Sequence, residues 1–349
     1  MSQKKNLIYI TETSLPTKSA NIINSLKFCD ALSKFYNVEM YIPNISLKSN
    51  TVKKIYSLRN EIEFNNIIKC NIHNFIYRFI FCFIVMIKLN FKKNKIILGR
   101  SILTSLFLTL FNIKNTLELH HEPKSFSKLL FKIILFLPQR KKLNLILINR
   151  SLIKILKIEN LKHIVLDDGA DIFNYKLKKN FDQKRNSCVY IGSFYEGKGI
   201  EIIYELSKLM PKVEFHLYGD IKTLKNKVKY LKNNNIKFFK YVDYNQIPNL
   251  LRNYKIALMP YQNIINARSN NLEISKYISP LKMFDYLASG NIIIASRLSV
   301  YNHILKNNLN SYLVSNKNLN DWKIMIKKVL NKSYNFSSMK INAINTAKK

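Results

Sequence analysis

The stretch YISPLKMFDYLASGNIIIAS (residues 277–296) sets a proline, a lysine, an aspartate and a glycine at the spacings of a short helix followed by a strand. The chain spends only 7 Gly and 8 Pro on 349 residues, so one of each bracketing a single segment calls for a local reason. Pro280 suits the first turn of a helix, where its missing N–H would be unpaired anyway, and Ser279 before it is the expected N-cap. Gly290 suits the left-handed residue that stops the helix so that NIIIAS can return as a strand. Lys282 and Asp285 are three apart and share a helix face. Alone, that face is compatible with a surface ion pair. It is equally compatible with a lysine meeting a phosphate while an aspartate accepts from a sugar hydroxyl.

Working outward, apolar runs of strand length recur between segments of helical period. NLIYIT (6–11), a helix-like stretch (19–35) and VEMYIP lead to a helix over 74–89, KIILGR, a helix near 101–111 and NTLELH. A basic amphipathic run (126–136), LNLILIN, a short helix and HIVLDDGADIF follow. The polar interval YKLKKNFDQKRNS (175–187) reads as a linker. Alternation then restarts with CVYIGS, a helix (200–210), VEFHLYGD, a helix near 224–233, IKFFKYV, a helix (247–253) and KIALMPY. After the opening segment come LNSYLVS and a helix over 320–330. Strand–helix alternation favours parallel sheets covered on both faces. The expected organisation is an α/β domain over 1–174, a linker over 175–187, a second α/β domain over 188–335, and a polar tail over 336–349 that packs back on the first domain.

Composition narrows the partners. Hydrophobic residues make up 47% of the chain, which excludes a disordered protein. The 57 Lys+Arg against 21 Asp+Glu give a net charge of +36, which suits nucleic acid, an anionic membrane or negatively charged substrates. Part of that excess is a background of Lys, Asn and Ile spread through nearly every segment. No zinc-finger spacing, RNP-like aromatic strand or helix-turn-helix is present, which sets nucleic acid aside and leaves an anionic membrane surface as the leading macromolecular partner. The 4 cysteines form no CxxC pair, which argues against a structural zinc or a disulfide framework and suits a reducing compartment. MSQKKNLIYI lacks the apolar region and cleavage site of a signal peptide, so a cytoplasmic location is expected. The segment NFIYRFIFCFIVMIKLNF (74–91) has an uninterrupted apolar core only over 79–87, short of the ~20 residues a spanning helix needs. It reads as a buried helix, or as one that also touches lipid headgroups.

Two further segments carry chemistry. In CVYIGSFYEGKGIEII (188–203), a strand ends at a turn containing Gly192 and Ser193, and Gly197-Lys198-Gly199 precede a helix. Such a turn lets backbone N–H groups and a helix N-terminus approach an anion, with Lys198 adding a full charge. VEFHLYGD places Gly219 and Asp220 at the carboxyl end of the next strand, on the same rim.

Taken in order, GSFYEGKG, YGD, the PY of Pro260-Tyr261 and SPLKMFDYLASG resemble the second domain of retaining glycosyltransferases of the family 4 type, in their SPLK-containing branch, over about 188–314. The first half is similar in order too: PTKSANIINSLKFCDAL, GRS (99–101), ELH (118–120) and DGAD (168–171). The resemblance implies the GT-B fold, two Rossmann-like domains with parallel sheets facing across an interdomain cleft. It also implies a nucleotide-sugar donor bound mainly by the second domain. Carried over residue by residue, Gly192, Ser193, Lys198 and Gly199 face the donor diphosphate, while Gly219 and Asp220 border the nucleobase pocket. Tyr261, Ser279, Pro280, Leu281 and Lys282 line the phosphates and sugar, and Asp285 holds the ribose. His120, with His121 beside it as the alternative, stands where such enzymes keep a histidine near the sugar. Lys18, Ser19 and Arg100 fall on the acceptor side.

Lys198, Lys282 and His120 are then the expected catalytic groups, with no cofactor and no metal, since no DxD motif is present. The expected activity is sugar transfer with retention to a glycan or polyprenyl-linked acceptor, in cell-surface polysaccharide or lipopolysaccharide synthesis at the inner face of the plasma membrane. A nucleotide-sugar epimerase on the same fold and a non-catalytic binding subunit are the alternatives. Three positions depart from the family pattern: Tyr277 replaces the first of two acids, Ser193 stands where relatives carry arginine, and SLPTKSAN (14–21) contains no glycine.

Overall fold

A computed structural model describes residues 4–17, 19–72, 74–90, 95–175, 186–224, 233–266, 273–331, 333 and 335–349. The N-terminal unit, Met1–Asp167, is built on seven strands. These are β1 (Lys5–Ile10), β2 (Tyr36–Ile42), β3 (Glu63–Asn66), β4 (Lys95–Gly99), β5 (Asn115–Leu119), β6 (Leu143–Leu147) and β7 (His163–Val165). Its helices are α1 (Ala20–Leu32), α2 (Ser49–Ile55), α3 (Phe75–Asn90), α4 (Ile102–Leu110), α5 (Ser125–Phe136) and α6 (Ser151–Leu156). All pairings are parallel, in the order β3-β2-β1-β4-β5-β6-β7. The short α2 and the β3 segment EFNN escape the sequence reading because neither carries an apolar run.

The C-terminal unit, Asp168–Lys349, carries β8 (Ser187–Ile191), β9 (Glu214–Tyr218), β10 (Ile236–Phe239), β11 (Ile256–Met259), β12 (Ile292–Ser296) and β13 (Tyr312–Val314). They pair in parallel in the order β10-β9-β8-β11-β12-β13. Its helices are α7 (Ile200–Leu209), α8 (Ile247–Leu251), α9 (Leu281–Ser289), α10 (Leu319–Leu330) and α11 (Ser337–Lys348). The helix expected near 224–233 falls almost wholly outside the described residues. Strands β8, β11 and β12 are buried throughout, as strands covered on both faces must be. Cys188 and Tyr190 point into a core with Phe215 and Trp322, while Val189 and Ile191 point into another with Met283 and Tyr286, the period-2 alternation of a strand between two helix layers.

In both sheets the strand order reverses beside the first strand, between β1 and β4 and again between β8 and β11. Each unit is thus a doubly wound sheet whose crevice opens at the carboxyl ends of those neighbours.

Two boundaries differ from the sequence reading. The DGAD segment belongs to the C-terminal unit, where the Asp168 N–H donates to Ser279 Oγ at 3.1 Å and the Tyr175 hydroxyl donates to Asp285 at 2.7 Å. The expected linker lies outside the described residues over 176–185. The expected polar tail is the helix α11 of the C-terminal unit. Its buried Ala343 joins the core of α9, and Ile344 covers Gly290. Small and apolar residues at Met339, Ala343 and Ile344 supply the packing stripe that an otherwise polar sequence conceals. Among the described residues, no helix is long and apolar enough to cross a membrane.

Candidate functional site

The crevice of the C-terminal unit is shaped by glycines. Gly192 leaves β8 at φ +138°, and a Cβ there would lie 2.7 Å from Lys282 Nζ. Gly197 (φ +81°) and Gly199 (φ +85°) turn the chain into α7 under the segment that leaves β11. A Cβ on Gly199 would sit 1.8 Å from the Pro260 carbonyl oxygen, and one on Gly197 1.9 Å from that of Ile264. The Gly197 carbonyl in turn accepts from the Gln262 N–H at 2.9 Å. These glycines therefore serve close backbone approach between two loops first, and through it hold Lys198 and Tyr261 together. Gly219, at the end of β9, is pressed against the Gly192 carbonyl, and the Gly192 N–H donates to the Tyr218 carbonyl at 2.9 Å. Ser193 accepts from the Tyr190 hydroxyl through its carbonyl at 2.8 Å. Asp220 is exposed and caps a single 3-10 turn by accepting from the Lys222 N–H at 2.9 Å.

Two lysines converge on this turn. Lys282 Nζ lies 3.5 Å from the Tyr190 ring centroid and 5.4 Å from that of Tyr261, and Lys198 Nζ lies 4.9 Å from the Tyr261 centroid. Both ammonium groups thus rest on aromatic faces at cation–π range. Lys198 is buried, and burial alone lowers its pKa to about 8. Lys282 keeps some exposure as a residue, yet its Nζ is shielded from solvent and has no hydrogen-bond partner among the described residues. Burial, then the charge of Lys198, hold it well below the ordinary lysine range. No carboxylate contributes to either shift. Burial disfavours the charged form of each amine, so a pair of them sharing one tyrosine is a place where an arriving anion would be bound and would restore the charge.

Lys282 and Asp285 do not form the surface ion pair that the isolated segment also allowed. Asp285 lies buried on α9, where its carboxylate accepts from the Tyr175 hydroxyl at 2.7 Å and from Tyr244 at 3.4 Å. Burial raises its pKa to about 7 against these two hydrogen bonds. Ser279 is not the N-cap. That position is Pro280 (φ −80°, ψ 116°), with no side-chain cap, and α9 begins at Leu281. The Ser279 hydroxyl is turned to the Asp168 N–H instead. Gly290 ends α9 in the left-handed region at φ +68°, as expected. The Tyr286 hydroxyl accepts from the Ile191 N–H at 2.9 Å and so ties α9 to the end of β8. Tyr277 is buried, with its hydroxyl donating to the Glu273 carbonyl at 3.0 Å.

In the N-terminal unit, Arg100 leaves β4 and His120 leaves β5, at the carboxyl edge of that sheet. Glu118 gathers them: its carboxylate accepts from Arg100 at 2.7 Å and from the Tyr9 hydroxyl at 2.8 Å, and it bonds the His120 ring at 2.5 Å. Burial alone would raise the Glu118 carboxyl. The Arg100 charge and the His120 hydrogen bond outweigh it and hold the group well below the usual carboxylate range. His120 is thereby the oriented histidine of the pair, while His121 is exposed. Arg100 also donates to the Asn21 carbonyl at 2.9 Å and is a support for this cluster. Ser19 precedes α1 without a side-chain cap, and Lys18 lies outside the described residues. Among the described residues no three His, Cys, Asp or Glu gather as a metal-ligand set.

Sequence reasoning missed Tyr175, Tyr190, Tyr244 and the role of Glu118. Only Tyr190 left a local signal: on β8 it is two residues before Gly192.

Two doubly wound parallel sheets, with a buried lysine pair at the crevice of the second, match the GT-B fold of glycosyltransferases. The chain belongs to the glycosyl transferases group 1 family, whose model matches residues 171–349. Among solved structures it is similar to a glycosyltransferase from Rickettsia africae, with TM-score 0.74 at 14% identity, covering 99% of this chain and 93% of that one. It is also similar to Anabaena HepE in complex with UDP-glucose (TM-score 0.67, 12% identity, 98% and 94% covered). A third relative in fold is WaaG, a glycosyltransferase involved in lipopolysaccharide biosynthesis (TM-score 0.65, 11% identity, 98% and 95% covered). A sequence search among curated proteins finds no match.

Proposed function

We propose that this glycosyltransferase moves a sugar from a nucleoside-diphosphate donor to a glycan or polyprenyl-linked acceptor, with retention and without a metal. The observation that carries the reading is the Lys198–Tyr261–Lys282 cluster, in which two buried lysine amines have no carboxylate beside them among the described residues and would be charged by an arriving polyanion. In the transition state the bond from the sugar to the diphosphate breaks and charge grows on the leaving oxygens. Ammonium groups already held in a sheltered site stabilise that charge more than they stabilise the ground state. The positive charge a metal would otherwise supply is present in Lys198 and Lys282. The acceptor hydroxyl attacks the oxocarbenium-like carbon as its proton passes to the departing diphosphate oxygen, with His120 oriented by Glu118 to hold the sugar. Asp285, with a carboxylate shared between two tyrosine hydroxyls, accepts from the ribose.

HepE, solved with UDP-glucose, supports a nucleotide sugar as donor, and WaaG supports a role in building a surface polysaccharide or lipopolysaccharide. The enzyme works at the cytoplasmic face of the plasma membrane in this reading. The deciding experiment supplies radiolabelled UDP-, GDP- and ADP-sugars and follows release of sugar or its transfer to lipid extracts. Turnover of one donor, lost in Lys198→Ala with an unchanged circular dichroism spectrum, is the expected result. Full turnover in that variant, or none from any donor, would remove the assignment.

A further inference from the structure

Helix α3 buries only one stripe of its apolar residues. Phe81, Cys82, Val85, Met86 and Leu89 face the core, while Ile76, Ile80, Phe83 and Ile87 repeat at helical spacing on the exposed side. Helix α5 does the same, burying Leu130, Phe131 and Ile134 but exposing Phe126, Leu129, Ile133 and Phe136. The two exposed stripes are joined. Phe75 and Phe126 meet edge to face with centroids 5.1 Å apart, and Phe107 of α4 bridges to Phe79 at 5.2 Å. The result is one apolar face spread over three helices, far from the scattered single exposures that a soluble surface carries.

The charge along α5 and at the end of α3 is predominantly positive. Exposed Lys128 and Lys132 lie along α5, and Arg140, Lys141 and Lys142 follow it on an exposed 3-10 turn. Lys88 closes the end of α3. The only acid bonded to these cations among the described residues is Glu122, at 3.3 Å from Lys128. Two copies of a chain of net charge +36 would bring these cations against each other, so the rim opposes self-association. It complements a surface that is apolar beneath and negative at its boundary, which is an anionic lipid bilayer.

We infer that the exposed apolar face of α3, α4 and α5, with its rim of lysine and arginine, is the surface by which this protein docks on anionic membrane. The inference deepens the membrane-peripheral part of the proposed function. It is read without turnover, so its failure leaves the sugar-transfer reading standing.

The test is sedimentation of the full chain with vesicles of phosphatidylcholine alone or with phosphatidylglycerol added. Expected is binding to the anionic vesicles that weakens steeply with salt, and little binding to the neutral ones. The variant Ile76→Glu/Leu129→Glu/Phe136→Glu should bind at least about tenfold more weakly, because apolar insertion and charge attraction are both reduced. A matched variant on exposed apolar residues of the C-terminal unit, Leu309→Glu/Ile324→Glu/Ile341→Glu, carries the same change in charge and should bind like the wild type. Phe136→Ser alone, at a side chain 83% exposed, keeps the test clear of any folding defect and should weaken binding by a smaller factor. The inference is overturned by absent binding to anionic vesicles at low salt, or by equal loss in the two triple variants. It is also overturned if a wild-type dimer dissociates in the first variant with no change in vesicle binding, or if vesicles carrying polyprenyl phosphate bind while phosphatidylglycerol vesicles of equal charge density do not. Those outcomes would make the face a contact between copies or an acceptor groove.

Discussion

Substituting Asp285→Asn removes a buried carboxylate from the candidate ribose site while keeping an oxygen for Tyr175 and Tyr244 to donate to. Burial outweighs the two tyrosine hydrogen bonds and raises the Asp285 carboxyl from an ordinary 3.8 to about 7. Because the folded pKa is above the unfolded one, the unfolded chain gives up the proton first as pH rises. Stability is therefore unaffected below the unfolded pKa, falls between it and the folded value, and stays reduced above. At about 1.4 kcal/mol per pKa unit, the cost at alkaline pH is on the order of 4 kcal/mol. Asn carries no such cost. Urea unfolding at pH 4.5 and pH 8.5 should show the variant gaining stability over the wild type by a few kcal/mol at the higher pH and by far less at the lower. The donor KM should rise at the same time, because the ribose loses its charged acceptor. An equal stability difference at both pH values would refute the electrostatic reasoning, and an unchanged KM would refute the ribose contact.

Lys282→Met keeps the stem over Tyr190 and removes the ammonium; transfer should fall by roughly 10²–10³ with no loss of melting temperature, measured by single-turnover kinetics and calorimetry. UDP binding by titration calorimetry should weaken as pH rises through about 8, where buried Lys198 loses its proton, and a flat profile to pH 9.5 would contradict the assignment. Gly199→Ala forces a Cβ against the Pro260 carbonyl at a positive φ, so chemical denaturation should report a loss of about 3 kcal/mol or more.

The α/β class, the alternation, and the glycine and lysine of each loop were legible because each is a local statement. Strand-length apolar runs must be buried on both faces, Gly290 must take the left-handed turn, and Gly197-Lys198-Gly199 must break before a helix. The helix α11 was not legible, since its packing stripe shows only against α9. Nor was Ser279, whose hydroxyl is claimed by the backbone of Asp168, 111 residues away in sequence. The two stripes of α3 differ little in composition, so only packing shows which one the core takes and which is left exposed.

The amino-acid order by itself determined the two α/β units with parallel sheets and the positions of the cationic loop residues, because period, turn chemistry and charge are properties of neighbours in the chain. Tertiary structure alone decided that Lys198 and Lys282 share Tyr261 with no counter-ion among the described residues, that Asp285 is engaged by tyrosines and not by lysine, and that Glu118 orients His120. Burial and distance set the pKa of each group and the partner it finds, and neither exists until the sheets close.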